Sequence, residues 1–328
     1  MDISPESPLF QLGNKTQLPT KIPQTTHTSA TSVTADARRV NGKVVRSHAL
    51  LAEQLKRNAL LVNRVCDVKK RILQHASRLI MQMIYAYPQM MLRRQTFPPF
   101  IHPRWHQKHL PEALGNCMSI AQLFAARTPE TGPFLWKMID AEEGRFREKE
   151  VHLCLQVMII YMIMAMAESQ TDSKERLIRL LESVELIGSR FLELTGNYTT
   201  SEASEPSRTW ESWIFSESRR RMACLWLIIS CVITIEAGRS CSGCGAMESL
   251  PLPSSRALWE ARTLEEWQTE KAFFDVSCPV MTLGELVAAK ENAENLVGAQ
   301  KLQSWEMGSD KLAAMLDIAV EFVWGRSL

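Results

Sequence analysis

The segment that most restricts the fold of this chain is "WESWIFSESRRRMACLWLIISCVITIEAG", Trp210 to Gly238. Two tryptophans stand three apart. An acid and three consecutive arginines follow, then fourteen uncharged, mostly apolar residues, Met222 to Ile235. A helix that crosses a bilayer needs about 20 apolar residues, and runs of roughly 10 to 14 belong more often to a buried core. Met222 to Ile235 falls in the second class and contains Ser230 and Thr234; the other rich run, Val157 to Ala167, is shorter. A core helix is therefore expected, and no membrane span. Successive residues on a helix point about 100° apart, so Arg219, Arg220 and Arg221 cannot all face one nucleic-acid groove. Glu217 precedes Arg220 and Arg221 by three and four residues, the spacing of intrahelical ion pairs. Glu217 and Arg221 also continue the row made by Trp210, Trp213 and Ile214. A partly buried Glu–Arg pair near the helix start is expected.

With 45% hydrophobic residues in a chain of 328, a substantial core is available. The formal charge is +2, from 38 basic and 36 acidic residues. That balance gives no global field for gripping DNA or an anionic membrane, and nucleic-acid affinity would need a local patch. Eight cysteines are scattered at 66, 117, 154, 224, 231, 241, 244 and 278. Cys154, Cys224 and Cys231 lie in apolar runs, where a free thiol behaves as a small hydrophobe. Such usage points to a reducing compartment and not to a disulfide framework. The start, "MDISPESPLF", lacks the basic region and long apolar segment of a signal peptide. The Asn14-Lys-Thr and Asn197-Tyr-Thr triplets are accordingly expected to match the glycosylation pattern by chance.

Residues 1–42 are expected to form a disordered tail. They are rich in Ser and Thr, with Pro and Gln among them, and cannot bury enough surface to offset their conformational entropy. After Val44 apolar residues recur at three- and four-residue spacing. Leu50, Leu51, Leu55, Leu60, Leu61, Val65, Val68, Ile72 and Leu79 make a stripe, with Lys56, Arg57, Lys69 and Lys70 largely on the other side. The spacing predicts one long amphipathic helix, or two in sequence, ending before Pro88. A proline-broken loop, "RRQTFPPFIHPRWHQKHLPEAL", follows. Asp172 with Glu175 and Thr282 with Glu285 have the form of capping pairs. The helix after Asp172 runs to Gly196, and Ser309 is the expected N-cap of the last helix, which stops at Gly325. Strand signals are sparse and no fixed repeat occurs. The expected fold is all-α, with a layered multi-helix domain over residues 43–328.

Chemistry-bearing motifs are few. Cys241-Ser-Gly-Cys244 has the spacing of half a zinc ribbon, but a structural site takes four ligands and the second pair is absent. His102, His106 and His109 sit in a segment broken by Pro103 and Pro111; they read as loop or capping groups, with His102 at a structured turn. Gly243-Cys-Gly245 begins like a dinucleotide turn, yet Glu248 stands three beyond Gly245. No Gly-x-Ser-x-Gly elbow, phosphate loop or His-Glu-x-x-His pair occurs. No catalytic, cofactor-binding or metal-ligating residue is expected, and the chain does not read as an enzyme.

Five segments in consistent order carry a family resemblance. "WESWIFSESRRRMACLWLI" resembles the Trp-x-x-Trp start, Glu-Ser-x-Arg-Arg signature and apolar run of the middle regulatory domain of fungal zinc-cluster transcription factors. "QMMLRRQTFPPFIHPRWH" is similar to another segment of that family, with paired basic residues before a Phe-Pro and Ile-His-Pro loop. "LPEALGNCMSIAQLFAAR" and "LCLQVMIIYMIMAMAE" look like the helices that follow it. "LPLPSSRALWEARTLEEW" is similar to the family's Leu-Pro-Leu-Pro, Leu-Trp-Glu-Ala and Glu-Trp stretch. The resemblance spans roughly residues 72–275 and implies a helical regulatory domain. Trp210, Trp213, Glu217, Arg220 and Arg221 should then fix the signature helix, and Pro251, Pro253, Leu258, Trp259 and Trp267 should pin the loop after it. The family's six-cysteine zinc cluster, which sets a helix at DNA, has no counterpart before the regulatory segments; the first cysteine is Cys66. Direct DNA binding by the family's means is not expected. The resemblance implies a nuclear transcription regulator, of a kind that often controls fungal secondary-metabolite gene clusters. It would work through other transcription factors or the transcription machinery, as a possible homo- or heterodimer. Two alternatives stay open: a small-molecule-sensing module, with Met158, Met162, Met164 and Met166 on adaptable apolar helices, and a truncated gene of a complete zinc-cluster factor.

Overall fold

The computed structural model describes residues 68, 70–106, 109–146, 150–168, 173–196, 207–236, 247–277, 280–292 and 294–324. The expected tail, the Asp172 cap, the Cys241–Cys244 loop and the upstream part of the leucine stripe lie outside them. The chain divides into two units, Met1–Gln74 and His75–Leu328. Of the first, Val68 and residues 70–74 are described, and they are helical.

The second unit is all-α. Helix α1 (residues 75–84) leads through a two-residue turn into α2 (Tyr87–Met90), with Pro88 in the first turn, where its missing N–H costs nothing. The helices that follow are α3 (Glu112–Ala125), α4 (Gly132–Arg145), α5 (Val151–Met166), α6 (Ser173–Thr195) and α7 (Trp210–Glu236). The last five are α8 (Arg256–Glu260), α9 (Leu264–Ser277), α10 (Leu283–Glu291), α11 (Leu296–Met307) and α12 (Lys311–Trp324). No strand occurs among the described residues; one isolated antiparallel bridge joins Pro251 and Thr282.

Helix α5 explains the layering. Every residue from Leu153 to Ala165 is buried, and a helix apolar all round must be enclosed by others. Helices α2, α3 and α6 pack on it, and α4 packs on α3. Met158, Met162 and Met164 are fully buried in this core, where flexible thioethers fill irregular gaps. The long α7 supplies a second spine, against which α12 lies. Helix α6 ends at Gly196, whose φ of +76° is the left-handed conformation glycine adopts after a helix C-terminus.

Two local expectations are corrected. The apolar stripe, where it is described, points outward: Val68, Ile72 and Leu79 are 55%, 58% and 46% exposed. Ser77, Ile80, Met81 and Ile84 are buried instead. The helix carries two apolar rows, and periodicity alone does not say which row the neighbouring elements cover. The second correction concerns α12. Its N-cap is Asp310, whose carboxylate accepts from the Leu312 and Ala313 N–H groups at 3.0 Å each. Ser309 instead donates its hydroxyl back to the Trp305 carbonyl. The Thr282–Glu285 capping box forms as expected.

Candidate functional site

The start of α7 is the most densely bonded polar region in the described structure. Glu217 is fully buried, and its two oxygens accept four hydrogen bonds. Arg220 Nη1 donates at 2.7 Å, Arg221 Nε at 2.8 Å, the Ser254 N–H at 2.8 Å and the Ser254 hydroxyl at 2.9 Å. That number fills a carboxylate's accepting capacity. Arg221, also fully buried, donates from Nη1 to the Pro99 carbonyl at 3.2 Å and from Nη2 to the Ser254 carbonyl at 3.3 Å. Its Nη1 also pairs with Asp310, and its guanidinium lies 4.2 Å above the Trp259 ring. Two cations and two anions therefore balance in a closed network, the condition for burying charge without a large desolvation loss.

Electrostatics agree with that balance. Burial alone would raise the Asp310 pKa, but the Arg221 charge and the two backbone N–H groups hold it below the usual aspartate value. Burial alone would lower that of Arg221, and Asp310 and Glu217 more than reverse the effect. Tyr87 lies in the same field; burial, then the Asp310 charge, pushes its phenol well above the ordinary range. The Cys224 thiol is pushed up to about 12, first by burial and then by Glu217. A thiol buried in this way packs as a small hydrophobe.

The expected site residues gather here. Trp210, Trp213, Leu258, Trp259 and Trp267 form one buried cluster with Ile214 and Ala261. Trp210 and Trp267 stack at 6.3 Å between centroids, and Trp213 meets Trp267 at 6.0 Å and Trp259 at 6.3 Å. Ring packing holds the cluster, since Nε1 of Trp210 and of Trp267 has no partner. His102, buried just before the 3₁₀ turn at Pro103–His106, stands edge-on to Trp259 at 4.7 Å, with Nε2 3.0 Å from the Trp259 carbonyl. Arg104 covers Trp210 at 4.4 Å. Pro251 is buried in the bridge to Thr282, and the buried Pro253 accepts the Trp305 Nε1–H at 3.0 Å. The three arginines diverge, as helical spacing requires. Arg219 turns away from the network, donates to the Gly196 carbonyl at 2.8 Å and flanks Phe191 and Phe215.

Sequence reasoning missed Asp310, Ser254 and the Pro99 carbonyl. Only Asp310 left a local signal, an acid directly before an apolar helical run. The others are identified by distance alone. Chemically the site is a tether. It ties α7 to the 97–102 loop, to the 250–259 segment and to the first turn of α12, and no carboxylate oxygen of Glu217 is left to act as a base. A cleft beside Arg220, lined by Leu252, Pro253, Phe274, Met281 and Trp305, has a volume of about 20 Å³, room for roughly one water. Among the described residues no three His, Cys, Asp or Glu side chains gather to hold a metal, and no helix is long and apolar enough to cross a membrane. The side chain of His106 lies outside those residues, and His109 is exposed. Compared with known protein families, curated proteins and solved structures, the chain matches none.

Proposed function

We propose that this chain is a transcription regulator built on a helical domain like the regulatory domain of fungal zinc-cluster factors. In this reading it acts in the nucleus, on a secondary-metabolite gene cluster, through partner proteins. The partners are complete DNA-binding factors or the transcription machinery, and the association includes homo- or heterodimers. The observation that carries the reading is the ordered series of five family-like segments. The way these segments meet lends it support. Arg221 of the Trp-x-x-Trp segment bonds Pro99 of the Phe-Pro segment and Ser254 of the Leu-Pro-Leu-Pro segment. Gln156 of the Met-rich helix donates to the Phe100 carbonyl at 2.8 Å.

The reading is tested by purifying tagged chain from its native cell and identifying both co-purified proteins and cross-linked chromatin. A DNA-bound factor and a defined set of promoters should be recovered, and deletion should change transcripts of genes beside those promoters. Recovery of no promoter, with an unchanged transcript profile, would overturn it.

A further inference from the structure

Helix α11 is the least supported element of the second unit. None of its 12 residues is buried, whereas each of α1–α10 and α12 buries at least one side chain. Leu296, Val297 and Met307 are 81%, 78% and 83% exposed. Its neighbours differ: α10 buries Leu283 and Leu286, and α12 buries Leu312, Met315 and Leu316. Helices in proteins draw most of their stability from packing one face, and α11 packs little. The ties it has gather toward its C-terminal end. Leu302 and Trp305 lie half-buried against the core. Trp305 Nε1 donates to the Pro253 carbonyl at 3.0 Å, and the Gly308 carbonyl accepts the Arg256 N–H at 2.7 Å. A Cβ on Gly308 would stand 3.1 Å from that of Ser255, so the backbone there is pressed onto the 250–259 segment. Lys301 joins Glu285 of α10 at 2.7 Å, and with Glu285 exposed such a pair adds little.

We infer that α11 is a lid over the cleft beside Arg220, hinged near Gly308, which opens while the rest of the helical core stays folded. Lys301, Ser304, Trp305 and Gly308 form the α11 wall of that cleft, at the three- and four-residue spacing of a single helix face. The facing wall includes Arg220, Leu252 and Met281, all three buried. With α11 in place the cleft has a volume of about 20 Å³, room for roughly one water. Lifting α11 brings the Arg220 guanidinium, framed by Leu252 and Met281, to solvent. The network around Glu217 survives that motion. Arg220 bonds Glu217 and the Ser254 hydroxyl, and neither partner belongs to α11. Elements with few buried apolar contacts open at a lower free energy than the core, and here the element with the fewest covers a buried cation. The hinge lies at Gly308 because the backbone is pinned there, while Leu296 and Val297 at the other end are bare. The lid follows from burial and contacts alone and is independent of the regulator reading.

The test uses methionines that the full chain already carries. Hydrogen peroxide converts an accessible thioether to its sulfoxide, and peptide mass spectrometry resolves each site. Met307 is exposed on the lid, Met281 is buried beneath it, and Met315 is buried in α12. Met307 should oxidise first and Met281 second, with Met315 reacting only as the whole chain unfolds. Hydrogen exchange on the same chain should show α11 amides exchanging at least about tenfold faster than those of α10 and α12. Trp305→Phe keeps the ring and removes the Nε1–H that bonds Pro253. It should speed Met281 oxidation and α11 exchange by roughly two- to tenfold, the share of one hydrogen bond, and leave Met315 unchanged. The wild-type order of oxidation needs no variant, so a poorly folding Trp305→Phe does not remove the test. Met281 oxidising no faster than Met315, α11 exchanging in step with α12, or Trp305→Phe speeding all the buried methionines alike would each overturn the inference.

Discussion

Arg221 contacts two carboxylates, and what its removal costs follows from their burial. In an Arg221→Ala variant, Glu217 keeps Arg220 and Ser254 but loses a cation, and Asp310 loses the one it faces. Breaking a buried pair from one side costs about 3–5 kcal/mol. Urea unfolding should register that loss, and a change below about half a kcal/mol would identify the pair as solvated. Asp310 gives the matching pH dependence. Its folded pKa is depressed, so its stabilisation is present above the unfolded value of about 3.9 and is lost as pH falls through the lower folded value. Asp310→Asn keeps an equally good N-cap and removes the charge. The variant should be less stable than wild type near neutrality, and the gap should close below roughly pH 4. A gap that stays constant down to pH 2 would assign the effect to packing. The Glu217–Arg221 pair was legible in the sequence because four-residue spacing fixes geometry locally. Asp310 was not, since it lies 89 residues from Arg221.

On the scale of elements, α1 separates pattern from packing. Ile80 is buried and its neighbour Leu79 is nearly half exposed. Ile80→Ala should therefore cost about 2–5 kcal/mol, and Leu79→Ala less than about 0.5 kcal/mol as a surface change. Chemical denaturation of the two variants compares them directly, and equal losses would place both side chains in the core. The caps divide the same way. Thr282 with Glu285 is read from a four-residue window because both halves of the box are local. The choice between adjacent Ser309 and Asp310 depended on Arg221, which draws the acid inward and leaves the serine to bond Trp305. Ser309→Ala should accordingly be nearly neutral, while Asp310→Ala loses a cap worth about 0.5–2 kcal/mol and unpairs Arg221 as well. Similar midpoints for the two in the same urea titration would return the cap to Ser309.

For the molecule as a whole, thiol accessibility reads the core without a mutation. Cys117, Cys154, Cys224 and Cys231 are free and buried, and burial pushes the Cys231 thiol up to about 12. A native thiol assay should therefore count no more than four of the eight cysteines, with the rest appearing only on denaturation. A native count above four would show that the core opens. The sequence by itself determined that the chain is helical, that the run after the arginines is interior, and that the three arginines diverge. Each of these follows from interactions within a few residues, whose geometry the helix dictates. Tertiary structure alone decided which apolar row of α1 is covered, which acid closes the arginine network, and how the tryptophans stack. Those outcomes depend on side chains that folding brings together from distant parts of the chain, and no spacing along the sequence encodes their distance in space.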